Sequence, residues 1–316
     1  MILVTLDDIK KTELEKLNNI CHPKKLLYVT SLEEVPQKAF SQIEIIITYG
    51  EELSSNLIAK MPNLRWIQLF QSGTERLPFQ ALKDQHITLT NMKTIHAVPM
   101  SEYALGMMLR HTLQLERLNQ NQLDKYWDSS AMIDEIYQKT VTIFGAGEVG
   151  SAIAEKCHLM GMNVIGVNRS GKLRPHFNRM VTLSERDTVI PESDFIILTM
   201  PVTTNTKKCF ATKEFDLMKE NALFINLGRA PLIDEQALKT VLLSNKIGGA
   251  VLDVFHQEPL HSQSELWGIK NLFITPHVAA KSPHYISRCL NIFENQYRAY
   301  VNNEPLQFKV DLHSGY

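Results

Sequence analysis

The feature that most limits how this chain can fold lies near its middle. The apolar run Val141–Phe144 leads directly into Gly145-Ala146-Gly147-Glu148-Val149-Gly150, and a helix-patterned stretch, Ser151–Met160, follows at once. Glycines at this spacing, caught between a strand and a helix, fit the first turn of a βαβ unit that binds a dinucleotide. Each glycine answers a different need. Gly145 permits the tight turn, Gly147 lets the backbone approach a pyrophosphate, and Gly150 lets helix and strand pack closely. The helix start at Glu148 and Val149 offers unpaired N–H groups and a positive dipole end to the phosphates. The same glycines could form an empty turn, but the strand before and the helix after argue for a ligand.

Short apolar runs at Ile2–Thr5, Leu26–Thr30, Ile43–Thr48, Trp66–Leu69 and Ile87–Thr90 alternate with amphipathic stretches such as Leu53–Lys60. Unbroken runs such as Ile45-Ile46-Ile47 mark parallel strands buried on both faces. A single long helix is expected over Ala97–Leu118. A second series starts at Thr140, with strands expected at Val141–Phe144, Asn163–Val167, Phe195–Thr199, Ala222–Asn226, Gly249–Asp253 and Leu272–Thr275. Parallel strands need crossovers, so the fold class is α/β, with two doubly wound parallel-sheet domains. The amphipathic helix Tyr285–Val301 follows the second sheet and is expected to return to the first domain. The expected plan is a flavodoxin-like substrate domain, residues 1–94 and 285–316, with a Rossmann cofactor domain, residues 95–284, inserted in it.

Charge narrows the partners. Lys plus Arg is 33 against 34 Asp plus Glu, which gives no electrostatic reason to expect nucleic acid or an anionic membrane. No apolar run is long enough to span a bilayer. The start, Met1–Lys11, lacks a basic segment before a long apolar one and reads as a first strand rather than a signal peptide. Cys21, Cys157, Cys209 and Cys289 are too scattered for a zinc knuckle or a disulfide framework. Reduced, buried thiols and a cytoplasmic location are expected.

The strand Asn163–Val167 should end at the adenosine ribose, where NAD-selective sites place a carboxylate. Here Asn168, Arg169 and Ser170 follow, with Lys172 and Arg174 close behind. Nothing there repels a 2′-phosphate and Arg169 can clamp one, so NADP is favoured over NAD. The alternative is that Arg169 stacks on adenine and Asn168 holds an unphosphorylated ribose.

Three further motifs each follow an expected strand: Asn226-Leu227-Gly228-Arg229-Ala230, Leu252-Asp253-Val254-Phe255-His256-Gln257-Glu258-Pro259-Leu260 and Thr275-Pro276-His277-Val278-Ala279. Strand C-terminal ends face the ligand crevice in an open α/β sheet, so an Arg, a Glu and a His should reach the rim that carries the glycine loop. In this order the motifs resemble the D-isomer-specific 2-hydroxyacid dehydrogenase family, glyoxylate/hydroxypyruvate reductases in particular. The likeness runs from the Ser72-Gly73-Thr74-Glu75 loop and the Ser101-Glu102 helix start to Val310-Asp311-Leu312 and Gly315-Tyr316.

That resemblance implies an NAD(P)-dependent oxidoreductase that interconverts a small 2-keto acid and its D-2-hydroxy acid by hydride transfer. His277 would supply the proton, since imidazole titrates near neutral pH. Glu258 would bond the far imidazole nitrogen and stabilise imidazolium. Arg229 would bind the substrate's carboxylate or carbonyl oxygen. Backbone N–H groups around Ser72 and Gly73 would hold the carboxylate, Asp253 would meet the nicotinamide carboxamide, and Pro201, Leu227 and Gly228 would line the cofactor cleft.

Singly, each of Arg229, Glu258 and His277 has a bland alternative: a surface ion pair, a solvated turn, a structural histidine. Their joint order along one sheet rim favours the catalytic reading. His96, His256, His261 and His284 lack the spacing of zinc ligands, so no metal is expected. Lys281 and His284 follow the catalytic His and are weaker substrate candidates. Ala230 and Ala279-Ala280 replace glycines common in the family, and Gln71 with Thr74-Glu75-Arg76 leaves the acid open. Glu258, where formate-type enzymes carry Gln, argues against that chemistry. The competing class is a dinucleotide-sensing corepressor-like binding protein on the same fold. By resemblance, the long helix and Tyr126-Trp127 imply a homodimer arm.

Overall fold

Along β1 (Ile2–Val4) side chains alternate between two apolar cores, Ile2 and Val4 entering one and Leu3 the other. That period of two is what a strand covered on both faces requires. The computed structural model describes residues 1–74 and 77–312, and the chain divides into two units, Met1–Ile95 with Ser282–Tyr316, and His96–Lys281.

In the first unit, β1 is followed by α1 (Lys11–Cys21), β2 (Leu26–Tyr28), β3 (Ile45–Thr48), α2 (Ser55–Ala59), β4 (Trp66–Leu69), α3 (Phe79–Asp84) and β5 (Thr88–Thr90). The five strands are all parallel, in the order β2-β1-β3-β4-β5, the flavodoxin-like order. One face is closed by the last helix of the chain, Tyr285–Val301, as its amphipathic pattern required. Trp66 stacks on Phe293 and Tyr300 of that helix with ring centroids 5.5 and 5.0 Å apart. Burying Phe293 alone contributes about 1.5–3 kcal/mol, so the helix is part of this unit's core.

The second unit contains α4 (Ala97–Thr112), α5 (Leu115–Leu123), β6 (Thr140–Phe144), α6 (Glu148–Leu159), β7 (Asn163–Asn168), β8 (Arg179–Thr182), β9 (Phe195–Leu198), α7 (Thr212–Asp216), β10 (Leu223–Asn226), α8 (Glu235–Leu243), β11 (Gly249–Leu252) and β12 (Leu272–Ile274). Its seven parallel strands lie in the order β12-β11-β10-β9-β6-β7-β8. The chain winds outward from β6 to β8, then returns and winds the other way from β9 to β12. The reversal between β6 and β9 opens a crevice at the strand C-termini, where such sheets bind ligands.

Two sequence expectations change. The long helix expected at Ala97–Leu118 is two helices, broken where Gln114 adopts a left-handed φ of 50°. The Thr112 carbonyl accepts from Asp134 N–H at 3.2 Å instead of continuing the helical ladder. The edge strand β8 was not anticipated, because Arg179–Thr182 is at most half-buried and carries no apolar run. Among the described residues no helix is long and apolar enough to cross a membrane. All four cysteines are buried and unbridged.

Candidate active site

The glycine loop is shaped by what touches it. Gly145 has φ +107°, and a Cβ there would lie 2.8 Å from Met200 N. Its carbonyl accepts from Thr199 Oγ1 at 2.8 Å, which ties the loop to the end of β9. A Cβ on Gly150 would fall 1.9 Å from Gly145 O, so helix α6 can pack on β6 only through glycine. A Cβ on Gly147 would meet nothing within 4 Å. Gly147 instead caps α6 beside open space, with Glu148 and Val149 as the first helical residues.

That space is a cleft of about 890 Å³, lined by Gly145, Gly147, Asn168, Arg169, Met200 and Pro201 among others. No carboxylate is among its described lining residues, whereas Arg169, Arg174 and Arg186 are. Asn168 is occupied locally: its Oδ1 accepts from Ser170 and Gly171 N–H at 3.0 and 2.7 Å, fixing the turn after β7. Arg169 and Ser170 are exposed on that turn. Arg186 is held from behind, its Nη2 donating to the buried Glu214 at 2.6 Å and Nη1 to Leu183 O at 3.0 Å. The cleft thus combines a glycine-lined helix start with a carboxylate-free cationic end, which fits a dinucleotide carrying extra phosphate.

On the same rim, β10, β11 and β12 are neighbours and deliver the three remaining motifs. Buried Asn226 bends the chain after β10, accepting from Gly228 N–H at 3.1 Å and donating to Arg229 O at 3.2 Å. Gly228 fits only as glycine, since a Cβ would lie 2.9 Å from Met200 O. Leu227 is buried beneath it, and Arg229 is exposed with Nη1 bonded to Gly228 O at 2.9 Å.

His277 Nδ1 meets Glu258 Oε2 at 2.8 Å, and Glu258 Oε1 accepts from Phe255 N–H at 2.9 Å. Burial opposes ionisation of Glu258, but the bonds from His277 and Phe255 outweigh it and hold the carboxyl below its ordinary value. With Nδ1 engaged by Glu258, the other ring nitrogen, Nε2, lies on the far side of the imidazole. The His277 backbone is left-handed, φ 54°, a conformation that survives only where its surroundings impose it.

Asp253 imposes it. The carboxylate is 2% exposed and accepts from Thr275 Oγ1 at 2.5 Å, Val278 N–H at 2.9 Å and Ala279 N–H at 3.0 Å. It therefore straps both sides of His277, a task the sequence did not reveal beside its expected nicotinamide contact. Tyr103 of α4 extends the strap, its hydroxyl 2.7 Å from Thr275 Oγ1. One heptad further along α4, the Arg110 guanidinium lies 3.9 Å from the Phe273 ring centroid.

His96, weighed in the sequence only as a metal ligand, sits at the start of α4. Burial first, then the charges of Arg229 and His277, push its imidazole down to about 4, so it is neutral at physiological pH. Among the described residues no group of three or more His, Cys, Asp or Glu is placed to hold a metal ion.

In the first unit, Ser72 and Gly73 form a half-buried loop after β4. Asn91 Nδ2 donates to Ser72 O at 3.0 Å, and Gln71 Nε2 bonds Tyr49 O. Glu75, Arg76, Gly315 and Tyr316 lie outside the described residues. Lys281 N–H donates to Val278 O at 2.8 Å and His284 N–H to Ser282 Oγ at 3.2 Å.

Comparison with known proteins bears on the family and the fold. A family model described as "D-isomer specific 2-hydroxyacid dehydrogenase, NAD binding domain" matches residues 105–279. A glyoxylate/hydroxypyruvate reductase B of Shigella dysenteriae serotype 1 is 31% identical over 79% of each chain. The crystal structure of a D-isomer specific 2-hydroxyacid dehydrogenase family protein from Aeromonas salmonicida is 31% identical, covering 98% of this chain and 99% of that one, with a TM-score of 0.87. An NADPH-dependent glyoxylate/hydroxypyruvate reductase from Sinorhizobium meliloti, solved with NADP and sulfate, is 26% identical over 100% of this chain and 99% of its own, with a TM-score of 0.83.

Proposed function

The chain belongs to the D-isomer-specific 2-hydroxyacid dehydrogenase family of NAD(P)-dependent enzymes, and from that premise we propose that it reduces small 2-keto acids to D-2-hydroxy acids, with Arg229, Glu258 and His277 as its catalytic set. The observation that carries this reading is the 2.8 Å Glu258–His277 pair, which shares with Arg229 the segments that follow three adjacent strands on one rim.

The glycine loop, the Asn168–Ser170 turn, Pro201, Leu227, Gly228 and Asp253 would hold the dinucleotide in the His96–Lys281 unit. The chemistry such a dinucleotide would supply there is the hydride for the carbonyl carbon. The chain's own residues handle the charge. Arg229 neutralises the acid and the developing alkoxide. His277, as imidazolium, gives the Nε2 proton to the carbonyl oxygen and is left neutral; water restores the proton. Glu258 compensates the imidazolium and keeps Nδ1 bonded throughout.

NADP is the proposed coenzyme, supported by the carboxylate-free cleft with Arg169 and by the NADP bound to the Sinorhizobium protein. A cytoplasmic location suits four buried, unbridged thiols. A homodimer is supported by the exposed Leu123, Tyr126, Trp127 and Met132 that follow α4; sedimentation at a monomer mass would refute it. The deciding assay is oxidation of NADPH and NADH with glyoxylate, hydroxypyruvate, pyruvate and longer 2-keto acids. Turnover that disappears in Arg229→Ala and His277→Ala is expected. Tight dinucleotide binding without turnover on any acid would replace the reductase with a sensor.

A further inference from the structure

Helix α4 and the segment leading to His277 are joined by a ladder of side chains. Arg110 lies over Phe273 and Tyr103 bonds Thr275, so seven residues on the helix match two on the strand. Residues seven apart share one helix face, and residues two apart share one strand face. The helix ascends as the strand descends, so one more step of seven along the helix face reaches His96, while the chain beyond β12 goes on from Thr275 to His277. The turn in which His277 N–H donates to Thr275 O at 3.0 Å keeps His277 close to Thr275.

Seven helical residues rise about 10.5 Å, more than the tight turn from Thr275 to His277 can advance, so the two imidazoles are staggered along the helix. His96 is nonetheless close enough to Arg229 and His277 for both charges to act on it. Its backbone is fixed as well, since its carbonyl accepts from Met100 N–H at 3.1 Å in the first turn of α4. A ring held at the start of this helix, near enough to feel Arg229 and His277, is placed to share whatever anion those groups collect.

We propose that His96 is a substrate-contacting residue, its imidazole hydrogen-bonding an oxygen of the 2-keto acid gathered by Arg229 and His277. The proposal rests on the reductase reading given above. An uncharged imidazole suits the place. It offers an N–H donor without adding a third cation to the pocket, which would compete with protonation of His277. It also explains why a histidine with no metal partners stands at a helix start, where Ser, Thr, Asp or Asn would cap better.

The test uses the full-length protein and two readouts. In steady state, His96→Ala should raise KM for glyoxylate or hydroxypyruvate about tenfold, with NADPH affinity unchanged. In calorimetry, oxalate, an inert dianion, should bind the protein–NADP complex about tenfold more weakly in His96→Ala. His96→Gln, which keeps a donor, should recover most of both losses. Wild-type KM and oxalate affinity in His96→Ala would overturn the proposal. So would a loss shared with NADPH affinity and melting temperature that Gln does not restore, which would make His96 a packing residue only. If wild type turns over no acid, the reductase reading fails, yet oxalate binding still decides the role of His96.

Discussion

Glu258 holds His277 with one carboxylate oxygen and Phe255 N–H with the other, at 2.8 and 2.9 Å. Glutamine has the same shape but one acceptor oxygen, so if Glu258→Gln keeps Phe255 N–H it turns an amide donor toward His277 Nδ1, which only a neutral imidazole can accept. Charge-assisted bonds contribute about 1.5–3 kcal/mol. The variant should therefore lose about 10–100-fold in kcat/KM in a steady-state assay at neutral pH, with a lower melting temperature as well. Activity within twofold of wild type would remove Glu258 from the catalytic set.

Acid should weaken the fold through two groups of this site. Glu258 has a folded pKa below its ordinary value, so its contribution is present above the unfolded carboxylate range and is lost as pH falls through the folded value. His96 is lowered from 6.5 to about 4, so the unfolded chain binds its proton first and stability declines as pH falls across that window. Urea midpoints of wild type should fall between pH 7 and about 4.5, and His96→Gln, which cannot titrate, should show a shallower decline. Parallel slopes would place His96 in a more open setting.

Coenzyme choice should turn on Arg169, the exposed cation on the turn that Asn168 shapes. A guanidinium on a 2′-phosphate makes charge-assisted bonds that NADH cannot make. Arg169→Ala should cut kcat/KM for NADPH about 10–100-fold while changing NADH by less than about threefold. Equal losses with both coenzymes would assign Arg169 to the adenine ring instead.

Arg186 and Glu214 allow a stability cycle. Glu214 is buried and bonds both Arg186 Nη2 and Ala211 N–H, at 2.6 and 3.0 Å. Arg186→Met strands a buried carboxylate, which costs about 3–5 kcal/mol, whereas replacing both partners with apolar residues is often near neutral. Thermal denaturation should show the single variant less stable than Arg186→Met combined with Glu214→Met. The reverse order would mean that water reaches Glu214.

Most of the scaffold was legible because buried parallel strands write themselves as apolar runs: Ile45–Thr48, Phe195–Leu198 and Leu223–Asn226 are buried throughout. What the sequence hid depends on partners distant along the chain. Nothing local marks Gln114 as a break, since Asp134 N–H takes the Thr112 carbonyl from twenty-odd residues away. β8 pairs at an edge with little apolar surface to advertise it. Arg229, Glu258 and His277 were readable as motif residues at strand ends. The strap from Tyr103 through Thr275 to Asp253 was not, because it joins a helix to a loop that no periodicity connects.

The three glycines of the nucleotide loop answer to different judges. Position 150 is policed by the chain itself, because any side chain would collide with the Gly145 carbonyl whether or not a ligand ever arrives. Position 147 faces open space, and only a visitor pressed against the backbone would object to a side chain there. In a descendant that abandoned its coenzyme, drift would reach 147 first and leave 150 standing. The two positions, read together across a lineage, would separate chains that still carry a dinucleotide from those that merely keep its architecture.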